Sequence, residues 1–215
     1  MSDGSALTVN AAQHQGPVEK WIRIAEFSVP GAPSFAAQLL KAGAQAGFDL
    51  AFSERLPLEH GIAVPLSLIT PRYDLPIVPL IQNCMVPPMP TLARCHAVGR
   101  LIRATAEASG LRVGVLGTGG LSHWPGAPES GSIDTVFDRD FLATLASDAP
   151  DRILELSDER LDQAGFGAWE VRQWATALGA AGNAHARVLA YEAITPWETG
   201  CAVALFEPSS TAGVN

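Results

Sequence analysis

The protein has 215 residues, of which 47% are hydrophobic and 17% are charged, as in a globular domain and unlike a disordered chain. Its net charge of −8 argues against nucleic acid or an anionic membrane surface as the main partner. Proline and glycine interrupt every apolar run well before the roughly 20 residues that span a bilayer. Residues 1–20 also lack the pattern of a signal peptide. We therefore expect a cytoplasmic protein.

Helices and strands alternate along the chain. Apolar residues at helical spacing predict helices at 34–47, 91–109, 138–146, 157–163 and 167–181. Short apolar runs predict strands at 49–53, 75–82, 113–116, 187–191 and 201–206. This alternation indicates an α/β fold with one largely parallel central sheet and helices on both faces. We expect a single domain over residues 20–207, a poorly ordered arm at 1–19 and a frayed tail at 208–215.

The segment Arg112–Pro125 is the centre of this prediction. Val113–Leu116 has the apolar, β-branched character of a strand buried on both faces, and a glycine-rich turn follows it. Ser122 and His123 would then lie at the carboxyl end of a central strand, where open α/β sheets bind ligands. The turn matches neither a P-loop nor a dinucleotide-binding motif, and Ser122 has no nucleophile-elbow motif around it.

A second histidine, His60, lies in a loop that opens a short helix. Glu59 directly precedes it and is a candidate to orient its ring. Because imidazole titrates near neutral pH, His60 and His123 across one cleft can serve as an acid–base pair. The alternative is that they are two loop histidines with separate structural roles.

Among the carboxylates, Glu170 stands out because Trp169 and Trp174 flank it. A carboxylate in apolar surroundings needs a metal, an arginine or a hydrogen bond. Glu170 is therefore a candidate metal ligand, with solvent or a pairing with Arg172 or Arg103 as the alternatives.

Four motifs in this order carry a family resemblance. They are Glu59-His-Gly-x-x-Val-Pro65, the run 75–83, the Pro-Pro-x-Pro loop at 87–90, and Gly117-Thr-Gly-Gly-Leu-Ser-His-Trp-Pro125. Together they resemble the class III extradiol ring-cleaving dioxygenases, over residues from about 20 to 207. The ordered pair of histidine motifs is more specific than either motif alone.

The resemblance implies that a non-haem Fe(II) and O₂ open a catechol-type ring beside one hydroxyl. It assigns the acid–base roles to His60 and His123, and it assigns one iron ligand to Glu170. The family's usual aspartate before the first histidine is a glutamate here. The residues implied at the substrate are Glu59, Ser122 and Pro125.

The resemblance also leaves a gap, because the family's two iron-binding histidines lie in N-terminal motifs that have no match in this chain. Residues 1–50 contain only His14, in a different sequence context. Three explanations stay open: an N-terminally shortened active enzyme, a non-catalytic partner subunit or aromatic-binding module, or ligands recruited from His14 or a second chain. We expect a homo-oligomer or a hetero-oligomer with a small subunit.

Overall fold

The structure is a computed structural model in which residues 12–182 and 184–206 are described in full and residues 5–8 by their backbone. The predicted tail and residues 1–4 and 9–11 of the predicted arm lie outside the described residues. Within the predicted arm, Gln13–Gly16 form a strand. The chain forms two compact units, residues 1–83 with 107–111, and residues 84–106 with 112–215.

The described residues of the first unit form two small sheets and two helices. Its strands are β1 (Ser5–Thr8), β2 (Gln13–Gly16), β3 (Phe27–Pro30), β4 (Ala51–Ser53) and β5 (Leu80–Gln82). One sheet has the order β4-β1-β5, and the other pairs β2 with β3. Its helices are α1 (Pro33–Gln45) and α2 (His60–Ile69).

Helix α1 shows how this unit builds its core. Pro33 begins the helix, a position where proline's fixed backbone angle fits and its missing N–H is not needed. Phe35, Ala36 and Leu39 then bury one face of the helix. The helix predicted at 34–47 is confirmed.

The second unit is mainly helical and ends in a β-hairpin. Its helices are α3 (Leu92–Ser109, whose last three residues belong to the first unit), α4 (Thr135–Leu145), α5 (Asp158–Gln163) and α6 (Val171–Ala181). Short 3₁₀ segments lie at Pro150–Glu155, Phe166–Glu170 and Thr195–Trp197. The hairpin strands are β6 (Ala186–Ile194) and β7 (Thr199–Phe206). The helices predicted in this part of the chain are all confirmed.

The buried core of this unit lies where these helices meet the inner face of the hairpin. Phe141 and Trp174 pack edge to face with ring centroids 5.8 Å apart. Leu145, Leu161 and Leu178 are fully buried in the same cluster. Each such leucine contributes roughly 1.5–3 kcal/mol by leaving water.

The largely parallel central sheet is not found in the described part of the chain. Only β1 and β4 pair in parallel, whereas β1–β5, β2–β3 and β6–β7 are antiparallel. For β6 and β7 the reason is the connection, since a parallel pair needs a crossover of a dozen or more residues. Residues 195–198 supply only a short turn.

The predicted strand at Val113–Leu116 is also absent. Val113, Val115 and Leu116 are 37%, 38% and 55% exposed, and no described strand pairs with this segment. A strand buried on both faces requires neighbouring strands as well as apolar side chains.

None of the helices in the described residues is long and apolar enough to cross a membrane.

Candidate acid–base site

The glycine-rich loop at 117–125 is anchored to the start of α6. Gly120 N–H donates to Glu170 Oε2 at 2.6 Å, and Trp174 Nε1–H donates to the carbonyl of Gly119 at 2.9 Å. Gly119 and Gly120 have φ values of +122° and +69°, which favour glycine. A Cβ on Gly119 would lie 2.6 Å from Glu170 Oε2, so the loop can approach the carboxylate this closely only as glycine.

A buried carboxylate holds the same loop from its other side. Asp138 is 0% exposed, and its Oδ1 accepts from Ser122 N–H at 2.9 Å. Its Oδ2 accepts from Ser122 Oγ–H at 3.0 Å and from the Tyr191 hydroxyl at 2.8 Å. Burial raises the pKa of Asp138, and these hydrogen bonds partly oppose that rise. Leu121 N–H and Gly200 N–H add backbone bonds between the loop and β7.

His123 is half-buried on this loop and held through one ring nitrogen. Its Nδ1 lies 2.9 Å from the carbonyl oxygen of Leu121. A carbonyl can only accept, so Nδ1 carries the proton and Nε2 bears the lone pair in the neutral ring. Gly167 lies against the ring, where a Cβ would come within 2.3 Å of its atoms. The ring is therefore held through Nδ1, and Nε2 is its basic nitrogen.

His60, in the first unit, is the first residue of α2 and is also held through Nδ1. That nitrogen lies 2.8 Å from Glu19 Oε1, and the backbone N–H of His60 donates to the same oxygen at 3.1 Å. The ring of Trp21 is 5.5 Å away between centroids. The hydrogen bond from His60 holds the pKa of Glu19 below its usual range. The predicted orienting residue, Glu59, is exposed and makes no capping hydrogen bond.

An Fe(II) site of the 2-His-1-carboxylate kind needs three side chains that converge. Among the described residues, three potential metal-ligating side chains converge at Glu19, Glu59 and His60, whose ligand atoms lie within 4.8 Å of one another. This group has two carboxylates and one histidine. No such group of described residues includes Glu170. The described residues therefore do not complete an iron site around the predicted carboxylate.

His14, the other histidine considered as a ligand, does not face solvent. It is 3% exposed in β2, and its ring bonds to the backbone of Ile77. Burial lowers its pKa.

The remaining predicted site residues have distinct environments. Ser122 is fully buried with its hydroxyl on Asp138, an environment that supports a role in holding the loop and not the predicted contact with substrate. Pro125 is exposed at the end of the loop. Arg172 does not pair with Glu170, because its guanidinium donates to Asp158 at 2.7 Å.

Sequence reasoning missed two residues, Glu19 and Asp138. Glu19 lies 41 residues from His60 in a segment without periodicity, so no local signal marks it. Asp138 did carry a signal, since it shares the apolar face of α4 with Phe141 and Leu142. A carboxylate at such a position is rarely buried without donors.

The family model for the catalytic LigB subunit of aromatic ring-opening dioxygenases matches residues 3–202. The chain therefore belongs to this family. A solved structure, an uncharacterized protein JW3007 from Escherichia coli K12, has the same fold, with a TM-score of 0.63 and 18% identity over 94% of this chain and 80% of that one.

Three named relatives are dioxygenases. A 2,3-dihydroxyphenylpropionate/2,3-dihydroxicinnamic acid 1,2-dioxygenase of Cupriavidus necator is 27% identical over 85% of this chain and 73% of its own length. A second enzyme of that name, from Pseudomonas putida, is 40% identical over 41% of this chain. A gallate dioxygenase of Pseudomonas putida is 31% identical over 74% of this chain. The chain spans only 28% of the second relative's length and 48% of the gallate dioxygenase's.

Proposed function

We propose that the protein acts in the extradiol opening of a catechol-type aromatic ring, with His60 and His123 as its acid–base groups. The observation that carries this proposal is a shared geometry. Each imidazole is bound through Nδ1 to an acceptor fixed in the fold, Glu19 Oε1 at 2.8 Å and Leu121 O at 2.9 Å. Each therefore presents Nε2 for proton transfer.

Ring opening of a catechol makes two demands that imidazoles can meet. A base must take a hydroxyl proton before oxygen reacts, and an acid must return a proton as the O–O bond breaks. A neutral ring with its lone pair on Nε2 serves the first step, and an imidazolium serves the second. Anchoring through Nδ1 fixes which nitrogen acts in both.

The proposal includes Fe(II) as the cofactor, which supplies the activation of O₂, with Glu170 as a carboxylate ligand. The ligand set is incomplete among the described residues, and the proposed acid–base roles depend on the two histidines alone. The names of the relatives support a catechol-type substrate. Copies of the same chain or a small subunit are the proposed partners.

The alternative is a non-catalytic, aromatic-binding partner subunit. It is favoured by the environment of Glu170, whose Oε2 is already bonded to Gly120 N–H at 2.6 Å. No three metal-ligating side chains of the described residues converge there. On this alternative, Glu170→Gln would leave the affinity for a catechol unchanged.

The first experiment is an anaerobic Fe(II) titration followed by oxygen uptake with catechol, protocatechuate, gallate and 2,3-dihydroxyphenylpropionate. We expect iron binding, oxygen consumption and a yellow ring-opened product. His123→Ala should lower kcat by about 10²- to 10⁴-fold, the range for loss of a general acid–base group, with Fe(II) affinity nearly unchanged. His185→Ala, at an exposed histidine of the same unit, is the control.

Loss of iron in His123→Ala would identify His123 as a ligand and contradict its acid–base role. Catechol binding without oxygen uptake would support the partner-subunit alternative.

A further inference from the structure

We propose that Glu19 is the positioning residue for His60: its carboxylate holds the imidazole as the Nδ1–H tautomer and leaves Nε2 to exchange the proton. This inference rests on the proposed function of His60. It replaces the sequence-based expectation that the adjacent Glu59 orients the ring.

One oxygen of Glu19 binds two donors of the same residue. Oε1 accepts from His60 Nδ1–H at 2.8 Å and from His60 backbone N–H at 3.1 Å. The backbone donor lies at the start of α2, where N–H groups have no partner within the helix. The Glu59 side chain does not supply that cap, so Glu19 does. Fixing the backbone and the ring together leaves the imidazole little rotational freedom.

A close approach of two backbone segments holds Glu19 at this point. Leu58 N–H donates to Gln15 O at 3.0 Å, and Val18 N–H donates to Leu58 O at 3.1 Å. A Cβ on Gly16 would lie 2.8 Å from the Cβ of Leu58, so a larger residue would push the segments apart. Glu19 is the residue after Val18, and His60 lies two residues after Leu58 on the other segment.

The surroundings of Glu19 make its carboxylate depend on the hydrogen bonds from His60. Its side chain is 19% exposed against 55% for His60, and its Oε2 is buried without a hydrogen-bond partner. A carboxylate with one desolvated oxygen depends on the donors that reach the other oxygen. Hydrogen bonding to His60 lowers the pKa of Glu19, which agrees with an ionised carboxylate at neutral pH.

Glu19, Glu59 and His60 also have the composition of a cation site. The direct 2.8 Å bond favours positioning, because Nδ1 is already occupied by the Glu19 oxygen. The proposed test therefore includes a chelator.

The test is ¹⁵N NMR of the His60 ring in the full chain, with and without a chelator, beside steady-state ring-opening kinetics. We expect a protonated Nδ1 and an unprotonated Nε2 at a pH where the ring is neutral. Glu19→Ala should abolish this tautomer preference and lower kcat by about 10- to 100-fold with little change in KM, because the ring loses its orientation. Glu19→Gln keeps an acceptor oxygen and should retain most of the tautomer preference and most of kcat. Glu59→Ala tests the adjacent carboxylate and should leave the tautomer preference unchanged. Glu26→Ala, at an exposed glutamate of the same unit, is the matched control for activity.

Three results would overturn the proposal: an unchanged tautomer in Glu19→Ala, the same change in Glu59→Ala, or a tautomer that depends on the chelator. If the wild type opens the ring and Glu19→Ala does not lower kcat, the positioning role is refuted and the proposed function stands. If the wild type opens no ring but Glu19→Ala still abolishes the tautomer preference, the proposed function is refuted and the contact between Glu19 and His60 stands.

Discussion

Asp138 illustrates at the scale of a residue how this protein uses a buried charge. It accepts three hydrogen bonds from Ser122 and Tyr191, and it thereby fixes the residue next to His123. The space around it is tight, since a Cβ on Gly200 would come within 1.9 Å of Oδ2. The Asp138 carboxylate therefore helps to hold the glycine-rich loop at 117–125, which carries His123.

We predict that Asp138→Ala lowers the free energy of unfolding by roughly 3 kcal/mol or more, because each buried donor left without a partner costs about 1–3 kcal/mol. Tyr191→Phe, which removes one bond, should lower it by about 1 kcal/mol. Urea denaturation of the three proteins measures both values. A loss well below 1 kcal/mol for Asp138→Ala would contradict the assigned network.

The raised pKa of Asp138 adds a pH dependence to this prediction. The folded state holds the proton at pH values where the unfolded chain has released it, so this group's contribution to stability falls as pH rises from the ordinary aspartate range through the raised pKa. Asp138→Asn lacks this ionisation. Its stability relative to wild type should therefore rise across that window in denaturation measured from pH 3 to pH 8.

At the scale of elements, the packing of α3 on α6 depends on two glycines. A Cβ on Gly99 would lie 2.0 Å from Thr176 O, and a Cβ on Gly179 would lie 2.1 Å from His96 O. Thr176 Oγ1 also donates to Cys95 O of α3 at 3.1 Å. The two helix backbones are therefore almost in contact. Helix α6 in turn positions Glu170 and Trp174 against the glycine-rich loop at 117–125.

Gly99→Ala and Gly179→Ala should each destabilise the protein by about 1–3 kcal/mol through overpacking, despite the higher helix propensity of alanine. The double variant should lose less than the sum of the two, because one separation of the helices relieves both clashes. Gly114→Ala, with no atom within 4 Å of the added Cβ, is the control in thermal or urea unfolding. Stabilisation by either helix variant would contradict this packing.

At the scale of the whole molecule, Val113–Leu116 is the segment that departs most from the predicted architecture. Its apolar side chains are exposed, and no described strand covers its backbone. An exposed, unpaired apolar segment favours association with a strand edge or an apolar face of another chain. The oligomer expected from the sequence therefore stays a prediction.

We predict that the wild-type protein self-associates at micromolar concentration and that the double variant Val115→Lys, Leu116→Lys weakens this association at least tenfold. Val136→Lys, at a residue of α4 that is 65% exposed, is the matched control and should have no effect. Light scattering across a concentration series measures this. A wild-type protein that stays monomeric throughout would contradict the prediction.

Local sequence patterns determined much of this protein. Apolar spacing located the helices, the motif at 117–125 located the loop that carries His123, and the motif at 59–65 located the helix that begins at His60. These features depend on neighbours within a few residues, so their signal is contained in short windows.

Tertiary structure alone decided the rest. The bond between Glu19 and His60 joins residues 41 positions apart, and the one between Ser122 and Asp138 joins residues 16 apart. The exposure of Val113–Leu116 depends on which backbone edges meet, not on its own side chains. Such contacts arise from the meeting of distant segments, and a local pattern carries no information about which segments will meet.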